Sequence, residues 1–168
     1  MPYSSVKNTG KTKIIQATRA YQFILRNRAA AFATVDGTGT PHVATVYCTV
    51  HEDLTLYFST RVEARKFHNL TCNPTAAMTF YNEQQMTTIQ MTGRAERVEN
   101  LEVEAEILRD LLIFRLEDPS LPLPPVRLFE AGATNELAII KVSPLEMTIA
   151  DFKVTKTGRY HPFFHKVL

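Results

Sequence analysis

Hydrophobic and polar positions repeat with two different periods along the first third of this chain. Apolar residues recur at helical spacing over Lys13–Arg26, with charges on the other side, which predicts an amphipathic helix. A short apolar run at Ala30–Val35 ends at Asp36–Pro41, whose two glycines and proline predict a hairpin loop. His42–Val50 and Leu54–Phe58 then alternate with period two and are rich in β-branched and aromatic residues, which predicts two strands.

A short helix is predicted after the second of these strands. Thr60 and Glu63 have the spacing of a capping box, in which Thr60 is the N-cap residue and Glu63 reaches back to it. We expect this helix to run to about Leu70, and it must end before Asn73-Pro74 because the residue preceding a proline disfavours helical backbone.

The remaining pattern predicts further strands and one more long helix. Strands are expected at Thr75–Tyr81 and Gln85–Val98, and Gly93 within the second indicates a bulge or sharp bend. Asn100 can cap a helix that runs to Arg115, with glutamates in its first turns and arginines near its end, as the helix dipole favours. The last segments are a proline-rich loop at Asp118–Pro125 and closing strands at Glu136–Val142 and Leu145–Phe152, which are separate or form one strand bent at Pro144.

Together these elements predict one α+β domain over residues 1–168. Five to six antiparallel strands with short links can avoid exposed edges by closing into a small β-barrel, flanked here by the helices. Residues 1–12 and 154–168 are expected to be tails that are flexible or packed against a partner.

Composition narrows the class of protein without naming a function. Apolar residues make up 45% of the chain and charged residues 21%, as in ordinary soluble proteins. The net charge of +2 gives no support for a nucleic-acid or membrane surface, and no apolar stretch has the length of a membrane span or signal peptide. Cys48 and Cys72 are too few and too far apart for a disulfide framework or a zinc site. We therefore expect buried thiols in a cytoplasmic protein, and no metal site.

The candidate chemistry lies where the strand Leu54–Phe58 meets the short helix. Ser59 and Thr60 supply hydroxyls there, and Arg65 and Lys66 supply two adjacent cations. Hydroxyls, fixed cations and free backbone N–H groups at a helix start are the donors that hold a phosphate best. The alternative is that Thr60 only caps the helix while the two cations lie on a solvated face.

The segment Phe32–Glu96 resembles the pyridoxamine-phosphate-oxidase-like family of FMN-binding split barrels. The matching motifs, in chain order, are Gly39-Thr40-Pro41-His42-Val43, Leu56-Tyr57-Phe58-Ser59-Thr60, Ala64-Arg65-Lys66, Asn69-Leu70, Asn73-Pro74 and Gly93-Arg94-Ala95-Glu96. This resemblance implies a split barrel that forms homodimers, with FMN bound at the interface between the subunits.

The resemblance also implies which residues bind the cofactor. Arg65 and Lys66 would hold the FMN phosphate, with Ser59 and Thr60 beside it. Thr88 falls where the oxidase places a flavin-contacting glutamine, and Gln90, two residues further on, could replace it. The strand that would run past the flavin ring and ribityl chain contributes Ala44, Thr45, Val46 and Tyr47.

The chain also departs from the oxidase in ways that affect its expected activity. It contains no tryptophan, whereas the oxidase ends in a motif with tryptophan and arginine. Its own ending, Gly158–His165, does not match that motif, and the helix after Asn100 lacks the oxidase's substrate contacts. We therefore do not expect pyridoxamine 5'-phosphate oxidase activity. We expect a flavin-dependent oxidoreductase that acts on an unidentified small molecule, with a nicotinamide cofactor or oxygen as redox partner.

Three alternatives stay open at this point. The protein could hold flavin or haem without turnover, it could use a deazaflavin coenzyme, or it could be a dimerisation module with an empty cleft. His161 and His165 have a spacing that would suit a metal or haem iron on a helix, although Pro162 between them and their place in the tail favour a loose or partner-packed C-terminus.

Overall fold

The computed structural model describes residues 10–117, 137–154 and 160–168, and these residues form three helices and eight strands. The helices are α1 (Gly10–Arg26), α2 (Arg65–Cys72) and α3 (Leu101–Glu117). The strands are β1 (Ala29–Val35), β2 (Pro41–Tyr47), β3 (Thr49–Val50), β4 (Leu56–Arg61), β5 (Thr75–Asn82), β6 (Thr87–Arg97), β7 (Leu137–Val154) and β8 (Tyr160–Lys166). Among the described residues, no helix has the length and apolar character needed to cross a membrane.

The strands form one antiparallel sheet whose two ends belong to one stretch of chain. The strand order is β2-β1-β5-β6-β7-β4-β3, and β8 also pairs with β7. The terminal strands of this order, β2 and β3, are consecutive in the chain and are separated only by Cys48. The sheet therefore curls round as a split barrel, and the predicted fold class is confirmed.

Strand β7 connects the two parts of this sheet. Along one edge it pairs with β6, while along the other it pairs first with β4 and then with β8. It passes through Pro144 as a single strand, so of the two alternatives predicted for this segment, one strand or two separate strands, the single strand is confirmed. The register with β6 shifts between Thr92 and Gly93, so the bulge predicted at Gly93 is confirmed.

The barrel interior is filled by large apolar side chains, and helices cover it on two sides. Phe32 and Phe58 meet edge to face with their ring centroids 4.9 Å apart, and both are fully buried. Helix α1 contributes Phe23 and Ile24 to this core. Each such buried side chain stabilises the fold by about 1.5–3 kcal/mol.

Helix α3 lies against the outside of the barrel and begins as predicted. Its Ile107 is buried against Tyr57 and Ile139. The Asn100 side chain accepts hydrogen bonds from the backbone N–H groups of Glu102 and Val103, so the predicted N-cap is confirmed. This cap fixes where the helix starts.

The single strand predicted over His42–Val50 is wrong in one respect. The chain breaks at Cys48, because β2 pairs with β1 whereas β3 pairs with β4 at the far end of the strand order. Cys48 itself is buried as predicted, and burial raises the pKa of its thiol. Cys72 is exposed, which corrects the expectation that both thiols are buried.

The capping box predicted at Thr60 and Glu63 is also wrong. Strand β4 continues to Arg61, because its last residues form ladder pairs with β7, including Thr60 with Ala138. Helix α2 begins at Arg65 and has Ala64 at its N-cap position, without a side-chain cap. Its end before Asn73-Pro74 is as predicted.

The C-terminal residues extend the sheet beyond the predicted five to six strands. Residues 160–166, which we expected in a tail, form β8 along β7. His161 and His165 therefore lie on a strand, where four residues span about 13 Å, so the helical metal spacing does not apply to them. The predicted loop Asp118–Pro125 lies outside the described residues, as do residues 1–9 and 155–159.

Candidate functional site

The start of helix α2 brings two cations against the ends of two strands. The Lys66 ammonium lies 3.4 Å from the Thr60 hydroxyl on β4, and the Arg65 guanidinium lies 3.2 Å from the His42 ring on β2. Ser59 precedes Thr60 on the same strand, and its side chain therefore points to the other face of the sheet. We call the group of His42, Thr60, Arg65 and Lys66 the basic corner.

Lys66 is a cation without an acidic partner. Its side chain is half-buried, and this loss of hydration lowers its pKa. In the described part of the chain its only hydrogen bond is to Thr60, and it forms no ion pair. Removing a charge from water costs free energy unless an opposite charge compensates it. The position therefore suits an anionic ligand.

Arg65 belongs to a chain of hydrogen bonds that ends in a carboxylate. Its Nη1 lies 3.2 Å from Nδ1 of His42, whose Nε2 lies 2.9 Å from Oδ2 of Asp36. Hydrogen bonds hold the pKa of Asp36 well below its usual range. The largest effect comes from the Thr38 hydroxyl, followed by His42 and the backbone N–H of Thr40. Asp36 is therefore ionised at neutral pH.

Helix α2 is tied to the barrel beneath the basic corner. Its one fully buried residue, Asn69, donates a hydrogen bond from Nδ2 to the hydroxyl of Thr34 on β1, over 2.9 Å. A bond between two buried polar groups tolerates little displacement, since either group would be left unpaired. It therefore fixes the position of the helix that presents Arg65 and Lys66.

A groove of about 600 Å³ lies on the outer face of the sheet. Alanine side chains from β1 and β5 form a flat floor, and polar side chains from β6 and β7 stand along one side. The lining residues are Ala31, Ala33, Val43, Ala77, Met78, Thr79, Gln90, Met91, Thr92, Glu146 and Thr148. Val43 follows His42 on β2, so adjacent residues of this strand belong to the groove and to the basic corner.

The predicted residues on strand β2 divide between two faces. Thr45 and Tyr47 share the outer face with Val43, whereas Ala44 and Val46 point the other way, and Val46 is buried in the core. β2 stands at one end of the strand order, and among the described strands its backbone pairs with β1 alone.

The predicted residues on strand β6 also differ in exposure. Gln90 is exposed and lines the groove. Thr88 is buried, and its hydroxyl donates to the backbone carbonyl of Phe80 over 2.9 Å. Gln90 is therefore the one of the two that can meet a ligand in the groove.

Sequence reasoning missed Asp36, which it places only in the hairpin loop, and it did not find the contacts of its partner His42. For His42 the sequence predicts a surface or core histidine that could line the site. A partial signal was present, because Asp36 is followed by Thr38 and Thr40, a spacing typical of an aspartate that accepts bonds within its own turn. The contact of His42 with Arg65 spans 23 residues and has no local signal.

The chain belongs to the pyridoxamine 5'-phosphate oxidase family, whose model matches residues 17–131. A pyridoxine/pyridoxamine 5'-phosphate oxidase of Pseudomonas putida is 33% identical over 89 residues. That match covers 53% of this chain and 41% of the relative, so this chain spans less than half of the enzyme it resembles.

Solved structures share the fold at low sequence identity. A Listeria innocua protein named as a pyridoxamine 5'-phosphate oxidase superposes with a TM-score of 0.63 at 17% identity, over 80% of this chain and 97% of that one. A pyridoxamine 5'-phosphate oxidase-related, FMN-binding protein of Nostoc punctiforme superposes with a TM-score of 0.55 at 14% identity, over 96% of this chain and 98% of that one. For HutZ, the haem storage protein of Vibrio cholerae, the TM-score is 0.57 at 16% identity, over 76% of this chain and 88% of HutZ. For an F420 reductase the TM-score is 0.56 at 23% identity, over 75% of this chain and 93% of the reductase.

Proposed function

We propose that this protein binds FMN and works as a flavin-dependent oxidoreductase on a small-molecule substrate. The observation that carries the proposal is Lys66, a half-buried cation with no acidic partner among the described residues, placed beside Arg65 and the Thr60 hydroxyl. A phosphate monoester carries a charge close to −2 at neutral pH and three acceptor oxygens. It would supply the charge that this corner lacks.

The groove gives the rest of a flavin a suitable surface. Its alanine floor is flat and apolar, and Gln90 and Thr79 stand over it with hydrogen-bonding groups. His42 and Val43 are adjacent on β2 and point to opposite faces of the sheet, so a ligand that joins the basic corner to the groove would pass round this edge strand. A bound flavin would supply the electron transfer, while these residues would bind it, orient it and exclude water.

Three further parts of the proposal have other grounds. From the family resemblance we propose a homodimer with the cofactor at the interface, and from the expected flavin chemistry turnover with a nicotinamide cofactor or oxygen. The cytoplasmic location is proposed from the amino-acid sequence. Oxidation of pyridoxamine 5'-phosphate is not proposed, because the chain contains no tryptophan and its helix after Asn100 lacks the substrate contacts that the resemblance implies for the oxidase.

The test compares FMN with riboflavin, which lacks the phosphate. We expect Arg65→Ala with Lys66→Ala to weaken FMN binding by about tenfold or more, because each lost charge-assisted contact costs about 1.5–3 kcal/mol. Riboflavin binding should not change. The measurement is a fluorescence titration of both flavins against the wild-type protein and the double variant.

Arg97→Ala is the matched control, since Arg97 is an exposed arginine at the end of β6. It should leave both affinities unchanged. Equal FMN affinity in the double variant and the wild type would remove the phosphate assignment. A Soret band with haemin, or tight binding of a deazaflavin with no binding of FMN, would assign the groove to haem or to a deazaflavin instead. If the protein binds flavin but the bound flavin is neither reduced by a nicotinamide cofactor nor reoxidised by oxygen, the protein holds flavin without turnover.

A further inference from the structure

We infer that His42 is a positioning residue in the site for the cofactor phosphate. His42 fixes the Arg65 guanidinium, and Asp36 in turn fixes His42. The inference deepens the proposed function and rests on it. It assigns a role to the hairpin turn after β1 and to the first residues of β2, which the phosphate hypothesis leaves without one.

The chemistry of arginine determines the direction of these hydrogen bonds. A guanidinium has only donors, so the contact between Arg65 Nη1 and His42 Nδ1 at 3.2 Å requires Nδ1 to accept. The ring proton is then on Nε2, which donates to Oδ2 of Asp36 over 2.9 Å. Arg65 thus donates to a neutral His42, which in turn donates to the Asp36 carboxylate.

Asp36 is a fixed end point for this chain because its own turn holds it. Its Oδ1 accepts from the Thr38 hydroxyl at 2.6 Å, the Thr38 N–H at 2.9 Å and the Thr40 N–H at 3.0 Å. This leaves Oδ2 for His42. A carboxylate held by three bonds on one oxygen cannot rotate without breaking them, so the position of the imidazole is fixed as well.

The neutral ring also preserves the charge of the basic corner. A carboxylate in direct contact with Arg65 would form an ion pair and would compete with an anionic ligand for the guanidinium. The imidazole lies between the two and transmits the positional restraint without cancelling the charge. Among the described residues, His42 uses one of the five N–H donors of Arg65 and no other partner is found, which leaves the remaining donors to bind phosphate oxygens.

The experiment is a double-mutant cycle between His42 and Arg65, read as FMN and riboflavin affinities. We expect His42→Ala to weaken FMN binding by about fivefold, the size of one typical hydrogen bond, because the guanidinium loses its restraint, and to leave riboflavin binding unchanged. In the Arg65→Ala background the same change should have no further effect, because the group that His42 positions is gone.

Two conservative variants separate the two hydrogen bonds of the ring. His42→Asn places an acceptor oxygen where Nδ1 was and should recover most of the FMN affinity lost in His42→Ala. His42→Gln places its amide where Nε2 was, keeps a donor for Asp36, and should not recover it. Thermal melting of each variant shows whether it is folded.

Three results would overturn the inference: an equal loss of FMN and riboflavin affinity, an additive loss in the cycle, or equal behaviour of the asparagine and glutamine variants. If Arg65→Ala lowers FMN affinity and His42→Ala does not, the positioning role fails while the phosphate site stands. If neither Arg65→Ala nor the double Arg65→Ala and Lys66→Ala variant affects FMN, both proposals fail together.

Discussion

Arg65 and Lys66 are neighbours in sequence, but the fold places them in different environments. Lys66 is half-buried and reaches Thr60, whereas Arg65 is exposed and, within the described part of the chain, is restrained through His42. An ammonium acts as a compact point charge, and a guanidinium offers a planar fork whose direction matters. Burial therefore positions the charge of Lys66, whereas a hydrogen bond to His42 positions the N–H donors of Arg65.

Gly93 illustrates how one residue without a side chain shapes the sheet. A Cβ atom at this position would lie 2.8 Å from the Ser143 carbonyl oxygen and 2.8 Å from a methyl group of Val142. Both atoms belong to β7, and Val142 is held on the other edge of this strand by its pairing with Leu56 of β4. We expect Gly93→Ala to destabilise the protein by about 1–3 kcal/mol, as overpacking does. Urea unfolding monitored by circular dichroism would measure this loss.

Gly37→Ala is the control for that substitution. A Cβ atom there would lie 3.9 Å from the Cys72 sulfur, an ordinary contact distance, so its unfolding free energy should stay within about 0.5 kcal/mol of wild type. Equal losses in the two variants would mean that the cost is not caused by the close approach of β6 to β7.

At the scale of single elements, the start of α3 depends on one side chain. Asn100 accepts from the N–H groups of Glu102 at 2.9 Å and Val103 at 3.1 Å. Asn100→Ala should lower the free energy of unfolding by about 0.5–2 kcal/mol, because both donors lose their protein partner. Chemical denaturation of this variant is compared with Glu99→Ala, an exposed neighbour that makes no cap and should have little effect. A stability of Asn100→Ala equal to that of Glu99→Ala would contradict the capping role.

Most elements could be predicted because their signals are local. The helical period of α1, the alternation of β5 and the cap at Asn100 each depend on residues within a few positions of one another. The capping box at Thr60 failed because a distant strand competes for the same backbone. Thr60 pairs with Ala138, which is 78 residues away, and ladder pairs of this kind extend β4 past the predicted helix start.

The candidate site could be predicted only in part, for the same reason. Arg65 and Lys66 were found because they follow a strand and lie next to each other. For His42 the sequence predicts only that it could line the site, since its contact with Arg65 exists only once β2 and α2 are placed together by the fold. The distinction between Gln90 and Thr88 likewise depends on which part of β6 is covered, and that follows from tertiary packing.

At the scale of the whole molecule, the proposed homodimer places a second copy over the outer groove. Val43 is 70% exposed at the edge of this groove, an unusual position for an apolar side chain on the face of a sheet. If a partner covers it, Val43→Asp would bury a charge in the interface and should weaken dimerisation by about tenfold or more. Sedimentation equilibrium over a range of protein concentrations would measure the dissociation constant.

Ile14→Asp serves as the control for the dimer. Ile14 is equally exposed, at 69%, but lies on α1 and does not line the groove. It should leave the dissociation constant unchanged. A monomeric wild-type protein, or a dimer that tolerates Val43→Asp, would place the interface elsewhere or remove it.

The position of β7 has a consequence for how the molecule is made. This strand lies between β6 and β4 in the sheet, yet it is translated after both of them. A nascent chain that ends before residue 137 therefore leaves β6 and β4 with unsatisfied edges, of the kind that recruit other chains. Closure of the barrel must wait until residues 137–154 have been synthesised, and during that interval the open edges of β6 and β4 can pair with other chains.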